Sequence, residues 1–364
     1  MNSDNSKHRH QLEEALQRTA KTLVRVVSLF MIMVTTVLVY VAFDWKKMDL
    51  FGSFGKAEEV KAPVAVADTV KKTAFWKAPG IAADTPEDVK YGRELIAHTS
   101  EYLGPNGKVA KLTNGMNCQN CHLDAGTKPF GNNYSAVAST YPKFRARSGT
   151  NETIVERVSD CFERSLNGIA PDSTSKEMKA IVAYIKWLGK EVPKGESPKG
   201  VGLVELTYME RPADPVNGKK IFDAKCVSCH MTNGEGQLNA EKTAYTFPPL
   251  WGEHSYNVGA GLFRLSRFAG YVKANMPLGA TSENPQLSDE EAWDLAAFVN
   301  SQPRPEKNLS KDWPDISKKP VDHPFGPYVD GFNEAQHKFG PFGPIKKAAD
   351  ERKKKQEAQK AQKA

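Results

Sequence analysis

The chain has 364 residues, which is too long for one small domain and suits two domains with additional terminal segments. Apolar residues make up 40% of it, an ordinary share for a protein that buries a core. The net charge of +7 comes from the termini, because residues 1–25 carry +2 and residues 341–364 carry +5. Since these basic residues lie in tails without interleaved aromatic residues, the charge does not indicate a nucleic-acid-binding protein.

The N-terminal region contains an uncharged apolar stretch from Val26 to Phe43, which is about the minimum length for a transmembrane helix. Lysine and arginine are more frequent before it than after it, which places the N-terminus in the cytoplasm. The alternative is a cleaved signal peptide, whose apolar core is typically about 7–15 residues long and is followed directly by its cleavage site. We predict a cytoplasmic segment over residues 1–25, an uncleaved transmembrane anchor over residues 26–43, and a bacterial inner-membrane protein whose remaining chain lies in the periplasm.

The rest of the chain contains two units of similar layout. Each begins with a short helical pattern and ends with a longer helix, the first of which is predicted over Ser175–Leu188 with its apolar residues on one face. Thr174 with Glu177, and Ser288 with Glu291, have the spacing of capping boxes, which indicates where the two closing helices begin.

Each unit also contains one Cys-x-x-Cys-His motif. The first consists of Cys118, Cys121 and His122, and the second of Cys226, Cys229 and His230. Two thiols at this spacing can bind covalently to one edge of a haem, and the adjoining imidazole can ligate its iron. A zinc site or a redox dithiol is the alternative for a single motif, but two motifs in matching helical surroundings favour two covalently bound haem c groups. We predict that His122 and His230 are the proximal ligands.

The repeated order of helix, haem motif, distal ligand and closing helix is typical of a small cytochrome c domain, and the two motif histidines are 108 residues apart. No stretch alternates at period two for long enough to predict a sheet. We therefore predict a mainly α fold, with one transmembrane helix followed by two cytochrome c-like domains in tandem. The predicted segments are a linker over residues 44–85, the first domain over 86–190, an interdomain linker over 191–212 and the second domain over 213–305.

The second distal ligand is predicted to be Met276, which lies in an Asn-Met-Pro loop before the closing helix. A role as core filler is the alternative for this side chain. The first unit has no methionine between His122 and its closing helix, and Met178 lies on the apolar face of that helix. Cys161 lies in the expected interval, where a thiolate ligand would lower the reduction potential relative to methionine. The alternative for Cys161 is a buried, inert thiol.

The C-terminal part is rich in proline and aromatic residues up to residue 345. We predict that residues 306–345 form an extended segment that packs on the domains. Residues 346–364 consist mainly of Ala, Lys, Gln and Glu, and we predict a basic tail that is a frayed helix or disordered.

Several of these features together resemble the dihaem thiosulfate dehydrogenase/tetrathionate reductase family. They are the two haem motifs, the Arg-x-x-x-Cys-x-x-x-Ser-x-Asn-Gly stretch that starts at Arg157, the Asn-Met-Pro loop, and the segment Pro320–Tyr328. The resemblance extends over about residues 85–345, whereas the membrane anchor and the lysine-rich tail are not part of the usual pattern. It implies that Cys161 is the distal ligand of the catalytic haem, and that Arg147, Arg157 and Ser165 line the substrate pocket.

The reaction implied by the resemblance joins two thiosulfate ions into tetrathionate with release of two electrons, or runs in reverse. Electrons would pass through the His230–Met276 haem to an external partner, such as a small cytochrome c or a membrane redox complex. Two dianions repel each other, and forked arginine donors match their oxygens. On a helix, Arg157, Cys161 and Ser165 would lie along one face. For each arginine, a haem-propionate partner or a solvated charge is the alternative.

We further predict that Cys161 leaves the iron and forms a sulfur–sulfur bond with one thiosulfate, which is then transferred to the second. Some family members have a lysine before the distal methionine that competes for the iron. This chain has Asn275 there, so no such exchange is expected.

Two other functions fit part of the pattern. A membrane-tethered dihaem electron shuttle would explain both haems and the anchor, but it gives no role to Cys161 or the aligned arginine and serine. A cytochrome that processes a sulfur-carrier protein also uses a cysteine-ligated haem, but it would require a protein substrate and a partner haem subunit, and the C-terminal segment argues against it.

Overall fold

The computed structural model describes residues 21–36 and 74–362, which belong to two separate compact units divided after residue 64. In the first unit, residues 21–36 form a helix, α1. The predicted anchor overlaps this helix, but its residues 37–43 lie outside the described residues, as do residues 1–20 and most of the predicted linker up to residue 73. In the ranges that the structure describes, no helix is both long enough and apolar enough to cross a membrane.

The first domain is helical around one small β-ribbon, in which Phe144 lies opposite Asn151. Its elements are α2 (Glu87–Ala97), α3 (Thr99–Leu103), a 3-10 helix (Cys118–Asn120), α4 (Leu123–Gly126), α5 (Val137–Thr140), the antiparallel strands β1 (Lys143–Arg145) and β2 (Thr150–Glu152), α6 (Ile154–Arg164) and α7 (Lys176–Leu188).

The second domain repeats this layout. Its elements are α8 (Pro215–Lys225), α9 (Val227–His230), the antiparallel strands β3 (Gln237–Leu238) and β4 (Tyr245–Phe247), a 3-10 helix (Gly261–Phe263), α10 (Leu265–Asn275) and α11 (Asp289–Ser301). The mainly helical fold with two tandem domains is therefore as predicted, although the two short ribbons were not predicted. Strands of two or three residues are too short to produce a visible alternation of apolar and polar residues.

The first and last helices of each domain cross at a glycine. A Cβ atom at Gly92 of α2 would lie 2.0 Å from the carbonyl oxygen of Ala180 in α7. The same atom at Gly218 of α8 would lie 1.9 Å from the carbonyl oxygen of Asp294 in α11. Only glycine permits this backbone approach, so both helix pairs depend on it.

The N-terminal cap was predicted correctly for one closing helix and one residue too early for the other. The capping box of Ser288 and Glu291 is confirmed at the start of α11. The predicted cap of α7 was wrong by one residue, because the Ser175 hydroxyl accepts the hydrogen bond from the Met178 amide. Thr174 is instead engaged by the Asp172 carboxylate, which accepts hydrogen bonds from its amide and its hydroxyl.

The segment after the second domain contacts the domains, and it is not extended throughout. It contains a 3-10 helix (Ile316–Lys318) and α12 (Glu334–Phe339), followed by α13 (Phe342–Ala361). Asp322 is buried and pairs with Arg264, and the Phe325 ring stacks on Phe263 at 5.7 Å.

Of the two alternatives predicted for residues 346–364, a frayed helix or a disordered tail, the structure has a helix, because α13 continues to Ala361. Phe342 and Ile345 are buried at its start and fix the first turn on the second domain. Its Ala, Lys, Gln and Glu residues are strong helix formers, and Lys346 pairs with Asp350 one turn later.

Replacing Gly92 or Gly218 with alanine should reduce the free energy of unfolding by roughly 1–3 kcal/mol, because the added methyl group forces two packed helix backbones apart. Denaturant unfolding of the holoprotein, followed by circular dichroism, measures this change. Gly343→Ala in α13 is the control, since no atom lies within 4 Å of a Cβ there, and it should be neutral or slightly stabilising. An unchanged unfolding midpoint for Gly92→Ala would contradict the crossing described above.

Candidate haem sites and active site

The first domain contains a cavity of about 150 Å³ that is lined by its whole haem motif. Cys118, Cys121 and His122 form one side of this first cavity, and α6 contributes Arg157, Cys161 and Ser165. The structure thus brings together six of the predicted site residues at one place. Met178 is fully buried in α7 and does not line this cavity, which agrees with the core role considered for it.

The haem motif is held by a hydrogen bond from the start of α3 and by contacts within its own turn. The Thr99 hydroxyl accepts a hydrogen bond from the Cys118 amide at 2.9 Å and donates one to the Leu95 carbonyl at 2.7 Å. The Asn120 side-chain oxygen accepts a hydrogen bond from the Asn117 amide at 2.7 Å, and the Asn117 side-chain oxygen accepts one from the Ser100 amide at 2.8 Å. These contacts connect the motif to the helix that crosses α7.

His122 is oriented by the loop that follows it. Its Nδ1 atom lies 2.5 Å from the Asn132 carbonyl oxygen, and its ring stacks on Tyr134 with centroids 4.5 Å apart. Burial lowers the pKa of His122 to about 4, which keeps the imidazole neutral. With Nδ1 donating to the carbonyl, Nε2 presents a lone pair, which is the arrangement of a metal-ligating histidine.

Helix α6 carries the predicted substrate-pocket residues on successive turns. It begins with a capping box of Thr153 and Glu156. Arg157 and Cys161 follow one turn apart, and Ser165 is the C-terminal cap residue. Because residues four apart lie on one face of a helix, all three side chains reach the first cavity.

An aspartate that sequence reasoning missed organises the arginines. Asp160 contacts Arg147, accepts a hydrogen bond from Arg157 at 2.9 Å and pairs with Arg164. Arg164 also makes a forked pair with Asp312, with both distances 2.8 Å. The spacing of Asp160 relative to Arg157 and Arg164, three and four residues apart, was a visible signal for helical ion pairs.

The charges in this cluster alter the pKa values of two arginines. The negative charge of the Cys161 thiolate raises the pKa of Arg157. Burial, together with the neighbouring Arg164 and Arg157, lowers the pKa of Arg147 to about 10. Arg147 does not line the first cavity itself, so the structure places it behind Arg157 through their shared contact with Asp160.

The second domain contains a cavity of about 350 Å³ lined by Cys226, Cys229, His230 and Met276. His230 is oriented like its counterpart, since its Nδ1 atom lies 2.9 Å from the Pro248 carbonyl oxygen. Burial lowers its pKa. Met276 directly follows α10 and faces this second cavity, as the predicted distal ligand requires.

The two cavities share a wall made of Met116, Asn117 and Cys121, each of which lines both of them. No local sequence pattern marks Met116, because its position between the two cavities depends on the packing of the domains. Met116 lies two residues before Cys118, too near to reach the opposite side of the same haem. We therefore assign it to the partition between the cavities.

Helix α10 is hydrogen-bonded to the first domain beside the wall that the two cavities share. The Tyr271 hydroxyl donates a hydrogen bond to the Asn120 carbonyl at 2.8 Å, inside the first haem motif. The Asn275 side chain donates to the Phe130 carbonyl at 3.0 Å. The helix that delivers Met276 is thus bound to the loop that orients His122.

Both donor sets fit a haem c. Each combines two thiols at the spacing of one porphyrin edge, an imidazole whose Nε2 is free to ligate, and a further sulfur lining the same cavity. The fold and the two sites define a dihaem c-type cytochrome.

Comparisons with known proteins give the same class and a family. Residues 108–193 match the SoxA/TsdA cytochrome c domain family, and residues 215–303 match the cytochrome c family. The chain is 38% identical to a thiosulfate dehydrogenase of Psychrobacter arcticus, over 71% of this chain and 78% of that protein. It is 36% identical to a thiosulfate dehydrogenase of Allochromatium vinosum, over 69% of this chain and 89% of that protein.

Among solved structures, the chain is similar to the as-isolated form of a thiosulfate dehydrogenase from Marichromatium purpuratum, with a TM-score of 0.58 and 30% identity. The match covers 64% of this chain and half of that longer chain, 50%. The chain belongs to the thiosulfate dehydrogenase family. It is an oxidoreductase with two haem c groups, which confirms the predicted family and cofactors.

Asp160→Asn should reduce the free energy of unfolding by roughly 2 kcal/mol, because it leaves Arg147, Arg157 and Arg164 without their shared counter-charge. Thermal unfolding of the holoprotein followed by circular dichroism measures the loss. Glu163→Gln on the same helix is the matched control. Within the described residues, the Glu163 carboxylate pairs with Lys307 alone, and it is 48% exposed, so the effect of its replacement should be close to zero. Equal unfolding temperatures for the two variants would contradict the organising role of Asp160.

Proposed function

We propose that this protein interconverts thiosulfate and tetrathionate in the first cavity, at the haem held by His122 and Cys161. His230 and Met276 would hold the second haem, which would supply the outlet for the electrons. The observation that carries the proposal is the presence of Arg157, Cys161 and Ser165 in the same cavity as the first haem motif. The names of the relatives, which are thiosulfate dehydrogenases, support the substrate.

Cys161 acts as the sulfur nucleophile in this proposal. Its thiolate and the outer sulfur of one thiosulfate join in a sulfur–sulfur bond, with loss of two electrons. The outer sulfur of a second thiosulfate then attacks the first thiosulfate's outer sulfur, which forms tetrathionate and releases the Cys161 thiolate. When bound, the two haems supply one-electron acceptors for the two electrons. The reverse sequence reduces tetrathionate by the same bonds.

Arg157 provides the positive charge that two dianions require. Its guanidinium borders the first cavity and is attracted by the Cys161 thiolate, so a fixed cation lies beside the reacting sulfur. Asp160, which also contacts Arg147, pairs with Arg157 and holds it in place. Ser165, one turn beyond Cys161, offers a hydroxyl donor to a sulfonate oxygen.

The wall shared by the two cavities supports direct passage of electrons between them. Cys121 lines both cavities, so the covalent attachment point of one haem borders the site of the other. A non-enzymatic shuttle would use the same wall, but it leaves Cys161 and Arg157 without a role. We propose a small cytochrome c or a membrane redox complex as the external partner.

We also propose that the chain is anchored in the bacterial inner membrane, with both haem domains in the periplasm. The uncharged stretch from Val26 to Phe43 and the excess of Lys and Arg before it support this arrangement. The full chain should stay in the membrane fraction after alkaline carbonate extraction, and a chain that starts after residue 43 should not. A full-length chain released by carbonate, or a mature protein whose mass lacks the N-terminal segment, would overturn the anchor.

Cys161→Ala should lower turnover with thiosulfate by more than about a thousandfold, because it removes the sulfur that forms the covalent intermediate. Both haems should remain attached, since Cys118, Cys121 and the second motif are intact. Reduction of ferricyanide by thiosulfate, and oxidation of a reduced dye by tetrathionate, measure both directions. EPR of the resting protein should lose the signal of a thiolate-ligated low-spin haem.

Two further variants test the role of Arg157 in substrate binding and provide a control outside the cavity. Arg157→Gln should raise KM for thiosulfate by roughly tenfold or more through loss of a charged donor. Met178→Leu, a buried residue outside the cavity, should leave activity unchanged. A Cys161→Ala protein that keeps both haems and normal activity would refute the proposed mechanism.

A further inference from the structure

Arg304, which follows α11, has a guanidinium group that is only partly satisfied. It lies over the Tyr256 ring at 4.3 Å and the Phe263 ring at 5.0 Å, and its Nη2 donates to the Val299 carbonyl at 2.8 Å. Its Nε and Nη1 atoms are buried, and neither has a hydrogen-bond partner within the described residues. Nε and Nη1 of Arg304 are therefore two buried charged donors for which the described residues supply no acceptor.

Such an arrangement is costly unless an anion completes it. An arginine side chain stays charged at all ordinary pH values, so it cannot neutralise itself when it is buried. Buried charges in proteins are paired or hydrogen-bonded, and leaving one unpaired costs several kcal/mol in general. The rings of Tyr256 and Phe263 attract the cation, but they do not accept its in-plane N–H groups.

The position of Arg304 indicates where the missing acceptor lies. Tyr256 and Val299, which contact the guanidinium, both line the second cavity. Arg304 is therefore directly behind the wall of the site that holds the second haem c. A haem carries two carboxylates on its edge, and a forked guanidinium matches a carboxylate with two parallel hydrogen bonds.

We propose that Nε and Nη1 of Arg304 bind a propionate carboxylate of the haem in the second domain, and that this charge raises the reduction potential of that haem. The oxidised haem carries one more positive charge than the reduced haem. A fixed cation at its edge therefore favours the reduced form. Arg304 is a positioning and tuning residue in this inference, which does not depend on the substrate proposed above.

The test is a potentiometric titration of the holoprotein followed by EPR, which distinguishes a thiolate-ligated from a thioether-ligated haem. Arg304→Gln should lower the potential of the thioether-ligated haem and leave the other potential unchanged. Arg304→Lys, which retains the charge, should restore most of the loss. Lys220→Gln is the charge-matched control on the exposed surface of the same domain, and it should shift neither potential.

A diffusible anion could satisfy the same donors, so the titration is repeated with and without added chloride and thiosulfate. A potential of the wild-type haem that depends on these anions, with the dependence lost in Arg304→Gln, would assign the site to a free anion and overturn the proposal. Equal potentials for wild type and Arg304→Gln would also overturn it. If Arg304→Gln fails to accumulate with two haems, a crystal structure of the wild-type holoprotein decides, since a propionate oxygen beyond hydrogen-bond distance from both Nε and Nη1 refutes the pairing.

Discussion

The close crossing of the first and last helices in each domain is the constraint on which both haem sites depend. Gly92 and Gly218 let one helix backbone rest on another, and the haem motif follows the first helix of each pair after a turn or a loop. In the first domain, Thr99 transmits this placement, because its hydroxyl joins the end of α2 to the Cys118 amide. In the first domain, the position of the haem motif therefore depends on this backbone packing.

The sequence predicted the parts of the site whose chemistry is local. A Cys-x-x-Cys-His motif predicts haem c from a few neighbouring residues. The spacing of Arg157, Cys161 and Ser165 predicts that they share one helical face, and all three side chains line the first cavity. Family resemblance selected Cys161 over Met178, and Met178 is indeed packed in the core. The catalytic roles of these residues stay predictions.

The rest of the site depends on contacts between residues that are distant along the chain. Arg164 forms an ion pair with Asp312, which lies 148 residues later, and no local sequence pattern predicts this pair. Arg147 was expected in the pocket wall, but the fold places it one layer behind, where it contacts Asp160. Met116 was missed because its position between two cavities exists only after the domains have packed. For the tail, composition alone left a frayed helix and disorder open, because its helix starts from two buried side chains, Phe342 and Ile345, that pack on the second domain.

The hydrogen bonds from α10 to the first domain have a consequence for the route of the electrons. Tyr271 and Asn275 tie the helix that presents Met276 to the carbonyls of Asn120 and Phe130. These two hydrogen bonds hold the Met276 side of the second site against the haem motif of the first. If electrons pass between the two sites as proposed, they cross this contact without a domain movement, so we expect solvent viscosity to have no effect on that step.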